Sequence, residues 1–172
     1  MKTVVMFLLL CGLQLTAQDA PSCPMHKEHM SGASQHQADV EKQGDEAMGF
    51  PHDKTSHHFR LYADGGAIEL TVNDVKDSQD VQAIQSHLAH IVMMFSNGDF
   101  SIPMFIHDQT PPGVPVMKEK RAEISYSFEA LPTGGKVRIK TSNLEAIKGI
   151  HDFLRFQIED HHTGDPTNVG TL

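Results

Sequence analysis

Tryptophan is absent from this 172-residue chain, and there are only two cysteines, Cys11 and Cys23. Lys2 and the apolar run 4–13 look like the start of a secretory signal. That run falls well short of the ~20 residues that span a bilayer. Ala17 offers a cleavage point and Ala20 a weaker one. Cleavage near Ala17 would leave Cys23 without a partner, which excludes a disulfide scaffold and leaves it free, intermolecular or a ligand. A lipoprotein acylated at Cys11 is the less natural reading, because bulky Leu10 precedes it. Basic charge is also scarce, with 14 Lys and Arg against 22 Asp and Glu. The formal charge of −8 argues against nucleic acid, whose phosphates call for a basic surface. No second apolar run is long enough to span a membrane. The expectation is a periplasmic or extracellular protein.

Against these absences stand 12 histidines and 9 methionines. Residues 18–47 carry almost no large aliphatic side chain and cannot offset their own ordering entropy. They read as a disordered or partly helical leader, with the folded domain spanning 48–172. The leader contains SCPMHKEHMSG, which concentrates Cys23, Met25, His26, His29 and Met30. Thiolate, thioether and imidazole are soft to borderline donors. They favour copper, or to a lesser degree zinc, over calcium or magnesium.

The rest of the chain states one pattern twice. HHFRLYADGGAIELTV alternates apolar and polar residues on both sides of Asp64-Gly65-Gly66, which predicts a β-hairpin with one wet face. DSQDVQAIQSHLAHIVMMF then places Val81, Ile84, Leu88, Ile91 and Phe95 at helical spacing. EISYSFEALPTGGKVRIKTS and NLEAIKGIHDFLRFQIEDH repeat the sequence of hairpin and helix. The predicted fold is α+β, a duplicated ββα unit (ββαββα) whose two helices lie on one face of a four-stranded antiparallel sheet. Self-association through the sheet edge or face would give a homodimer. The proline-rich connection 98–120 is long enough to be functional, and its apolar content predicts an ordered, packed loop.

Several histidines of this domain are candidate ligands. His87, His90 and Met94 fall on one helical stripe, and two imidazoles a turn apart can chelate one ion. HExxH is not matched. His151 interrupts the most apolar stripe of the second helix, so it is either a core histidine satisfied by backbone or one facing His57 or His107 across the helix–sheet seam. His57 shares the inner strand face with Phe59 and Leu61. Asp108 follows His107, but side chains adjacent in sequence diverge, which disfavours a dyad. His161 and His162 read as complements to a negative helix terminus. No phosphate loop, GxSxG elbow or paired CxxC is present.

CPMH at 23–26 resembles the start of the heavy-metal-binding segment of bacterial copper and heavy-metal efflux proteins, without that segment's second cysteine-containing half. MGF, SHHF, ADGGAIEL, HLAHI, MFIHDQTPPGVP and HDFLRFQIEDHHTGD together resemble a family of small exported bacterial proteins of unknown function. That family is sometimes labelled aspartate carbamoyltransferase. Nothing here supports the label, since no carbamoyl-phosphate motif occurs. The reading that follows is an exported metal-binding protein, with copper captured through Cys, Met and His. The alternatives are a small metal-dependent enzyme built on His57, His107 and His151, and an interaction module using the exposed sheet face.

Overall fold

The computed structural model describes residues 24–170. The segment expected to be a secretory signal, with Cys11, lies outside them, as does Cys23. The order is α1 (Pro24–Met48), β1 (Thr55–Tyr62), β2 (Gly65–Val72), α2 (Ser78–Ser96), α3 (Ser101–Ile106), α4 (Val114–Glu119), β3 (Ser125–Leu131), β4 (Gly134–Lys140) and α5 (Leu144–Asp160). The four strands form one antiparallel sheet in the order β1-β2-β4-β3. The α+β class and the two hairpins are those the alternation predicts. Among the described residues no helix is long and apolar enough to cross a membrane.

Local chemistry sets the helix ends. The Asp77 carboxylate accepts from the Asp80 N–H at 3.1 Å and starts α2. Gly98, at φ 75°, lets the chain leave it. Asn143 caps α5 by accepting from the Glu145 and Ala146 N–H groups. The 98–120 connection is ordered as expected, but it holds two short helices rather than a plain loop. Pro103 and Pro115 do not oppose this, because each sits in a first helical turn, where no intrahelical N–H bond is lost. Of the two readings of the leader, the helical one holds over 24–48. Val40 and Gly44 of α1 are buried against the domain, so α1 belongs to the packing.

The duplication is visible in the backbone. Shifting by 69 residues carries Gly65 onto Gly134 and Leu70 onto Ile139. A Cβ on Gly65 would lie 2.3 Å from the Ile139 carbonyl oxygen, and one on Gly134 would lie 2.0 Å from that of Leu70. The same shift relates the Val72 N–H bond to the Thr133 carbonyl (2.8 Å) to the Thr141 N–H bond to the Asp64 carbonyl (3.0 Å). Central strands β2 and β4 thus meet about a local two-fold axis, and the glycine pairs permit the close approach.

Both long helices lie on one face. Leu154 of α5 sits over Gly66, and Leu88 of α2 over Gly135; these glycines share a sheet face with Ile68, Leu70, Val137 and Ile139. Each helix covers the other unit's hairpin: α5 packs on β1 and β2, and α2 mainly on β4 and β3. The core is therefore shared between the two repeats. On the opposite face, Arg138 pairs with Asp64 and covers the Tyr62 ring at 4.8 Å, and Lys136 pairs with Glu129 at 2.9 Å. The β1 edge is met by Gly170, whose N–H donates to the Leu61 carbonyl. Among the described residues the β3 edge has no such cover.

Candidate functional site

The start of β1, the end of α1, the middle of α2 and the end of α5 converge on one cleft. The β alternation turns His57 inward beside Phe59. Helix α1 ends at Met48, where Gly49 at φ 77° breaks it, and the Met48 thioether meets His57 Nε2 at 3.3 Å. His161, just past the last turn of α5, lays its ring nearly parallel to that of His57, with centroids 5.8 Å apart and 3° between planes. His87 of α2 lines the same cleft and stands edge-on to Phe50.

Burial governs the protonation of this group. It lowers the His57 imidazole to about 4, helped by His87, His52 and His58. Burial likewise lowers His87 to about 4, with His90 adding to it. His161 is driven to about 3, first by burial and then by His107 and His57. At neutral pH all three are uncharged, so each keeps one ring nitrogen with a free lone pair.

Behind them His107, 2 % exposed, is held at both nitrogens. Its Nδ1 lies 2.5 Å from an Asp160 carboxylate oxygen and its Nε2 3.1 Å from Gln157 Oε1. The second Asp160 oxygen meets His36 Nε2 of α1 at 2.9 Å. Burial pushes the Asp160 carboxyl up, but the bonds from His36 and His107 outweigh it and hold it below the usual carboxylate range. Asp160, not neighbouring Asp108, is the carboxylate that orients His107. Asp108 is exposed, at φ 49°. The His107 ring packs edge-on against His161 at 4.9 Å, so this network buttresses the cleft and pins α1 to α5.

Not every candidate from the sequence comes here. His151 is buried, and its Nε2–H donates to the Tyr62 carbonyl at 2.8 Å and the Gly65 carbonyl at 3.0 Å, at the turn of the first hairpin. That turn is about 16 Å along β1 from His57 at ~3.3 Å per residue. The repeat explains the contact. Gln85 occupies the matching position of α2, and its Nε2 donates to the Leu131 and Gly134 carbonyls at 3.2 and 3.0 Å. Shifted by 69 residues, Tyr62 and Gly65 become Leu131 and Gly134. His151 is therefore a hairpin clamp, and the proposed company of His57 and His107 is not assembled around it. His151→Gln is expected to stay within about 1 kcal/mol of the parent. His151→Leu, which leaves both carbonyls without the donor, should cost about 1–3 kcal/mol in urea unfolding.

Met94 is half-buried against the core, and the cavity that His87 and His90 share takes Met48 instead. Met25, His26, His29 and Met30 lie in the first two turns of α1. At 1.5 Å per residue they are about 27–35 Å along the helix from Met48, so they and the cleft are two places, not one. Sequence reasoning missed Met48 and His161 as site residues. Yet the stripe His151, Leu154, Ile158 continues at the same spacing to His161, so a signal was present.

Among the described residues no group of three or more His, Cys, Asp or Glu side chains is arranged to hold a metal ion. The cleft's distinctive pairing is instead thioether with imidazole, beside a cavity of about 280 Å³ that His52 and His58 also line. The chain matches no family model, no curated protein and no solved structure.

Proposed function

We propose that this is an exported copper-binding protein in which Met48 and His57 hold Cu(I), with the leader donors as a separate capture segment. The observation that carries this reading is the 3.3 Å separation of the Met48 sulfur and His57 Nε2 inside a cleft of uncharged imidazoles. Two donors with bonds of about 2.0–2.3 Å to one ion lie about this far apart at an angle near tetrahedral. A thioether is a soft ligand that favours Cu(I) over calcium, magnesium or manganese. Structural zinc asks for four N, S or O ligands, and this cleft does not present a closed set. His161 and His87 line the same cleft and bring further imidazoles to it. Buffering or delivery is the reading adopted, because the pairing that sets this cleft apart is a thioether with an imidazole, a metal-ligand pair.

The test is a titration of Cu(I), under reductant, into the full chain, followed by the methionine methyl and histidine ring resonances. Met48 and His57 should shift together. Met48→Leu, which keeps the side-chain volume, should abolish the His57 shift and weaken the cleft at least about tenfold, as expected when one of two joined ligands is lost. A Cu(I) titration that saturates the leader donors and leaves Met48 and His57 unmoved would defeat the proposal.

A further inference from the structure

Met48 lines three separate hollows. Two contain His57 and His161. The third, about 450 Å³ and more open to solvent, contains His87 and His90 with Ser86 and Ile102. His87 also lines the second hollow, so one imidazole stands on the wall between the inner cleft and the outer one. His90 is exposed and His87 half-buried, three positions apart on α2. Residues at that spacing are neighbours on a helix surface. The residues lining the outer hollow thus include two imidazoles and one thioether, and that thioether sulfur meets His57 Nε2 at 3.3 Å.

We infer that His87 and His90 form a second, outward-facing site for a soft monovalent cation, and that Met48 is the ligand it shares with the inner site. An ion held by His90, His87 and the Met48 sulfur passes inward by ligand exchange. The bonds to His90 and then His87 break as the bond to His57 Nε2 forms, while the sulfur stays bound. No electron or proton needs to change hands, because the imidazoles and the thioether bind as neutral donors. Helix α1 contributes to this path through its last residue alone. The other donors, His57, His87, His90 and His161, stand on the sheet, α2 and the end of α5. The inference rests on the copper reading only for the inner destination; the outer site stands on its own residues.

Silver(I), a redox-inert soft cation, is the probe. Titrated into the full chain, it should shift the His87 and His90 ring resonances together in one step and the His57 ring in another, with the Met48 methyl responding to both. In His90→Gln, a change at an exposed position, the His87 response should weaken at least about tenfold, while the equilibrium response of His57 is retained. Arrival of the ion at His57 after rapid mixing should slow by a similar factor. His87→Phe, which keeps a ring against Phe50, should give the same slowing. A silent His90 in the parent, or unchanged loading in both variants, overturns the inference. A His57 that never responds while His87 and His90 do supports the outer site and sinks the inner one.

Discussion

The metal-free protein is expected to lose several kcal/mol of stability between about pH 6.5 and about pH 4.5. His57 and His87 titrate at about 4 in the folded state and His161 at about 3, because burial penalises their charged forms. In the unfolded chain a histidine titrates near ~6.5. The folded values lie below the unfolded one. Well above ~6.5 neither state carries these protons and the full stability is present. As pH falls through ~6.5 the unfolded chain takes up protons that the folded cleft refuses, so unfolding becomes progressively easier. Each imidazole contributes at most ~1.4 kcal/mol per pH unit, and the three together up to ~4 kcal/mol per unit in the middle of the window. Urea unfolding at pH 7, 6 and 5 measures it. His161→Asn should flatten the dependence by about one proton. A protein equally stable at pH 7 and pH 5 would show that the cleft admits water and that its imidazoles are ordinary.

The same burial bears on function. An imidazole that refuses a proton at pH 5 keeps its lone pair for a metal where an exposed histidine would already be charged. Because the penalty is on charge, a bound cation must itself be stabilised by the donors that meet it. In the proposed site the Met48 sulfur and the His57, His87 and His161 rings would supply that stabilisation without a formal negative charge. Low-charge, polarisable coordination of this kind suits Cu(I) better than a hard divalent ion.

How much of this could be read from the chain depends on the length scale of each interaction. Hairpins and long helices declare themselves within a few residues through alternation, caps and glycines, and the duplication follows from meeting them twice. The inward turn of His57 is likewise a matter of parity with Phe59 and Leu61. The cleft is a different matter, because its partners are far apart in sequence. Met48 ends a helix whose composition is polar, and only the seating of Val40 and Gly44 brings that end to His57. His161 lies beyond the helix cap, where a histidine also complements the terminal carbonyls, so the local explanation sufficed and hid the distant one. His151 shows the reverse. Its place on an apolar stripe suggested either a ligand or a core residue, and only the matching Gln85 reveals the role both share, donating to the two carbonyls of a hairpin turn.

Truncating the two helix leucines that face the sheet should give unequal losses, and the inequality tests how the shared core is built. Leu154 and Leu88 occupy matching places, over Gly66 and Gly135, and both are essentially inaccessible. Leucine-to-alanine changes at such sites cost about 2–5 kcal/mol, with the larger values where the surroundings cannot collapse into the space. Leu154 bears on the backbone of β2, a central strand paired on both sides, with Leu61 and Ile139 opposite Gly66. A paired backbone cannot move into the cavity, so Leu154→Ala belongs in the upper half of the range. Leu88 shares its place over Gly135 with the ring of Phe128, which comes from edge strand β3 and is only half-buried. That ring can lean into the space, so Leu88→Ala belongs in the lower half. Urea unfolding of the two variants beside the parent, at pH 8 where the cleft imidazoles are essentially uncharged in both states, separates them. A Leu88→Ala loss as large as that of Leu154→Ala would mean that Phe128 is held as firmly as the central backbone. A Leu154→Ala loss below about 1 kcal/mol would mean that α5 does not rest on the sheet at Gly66, and the reading of two helices seated over two glycines would fall with it.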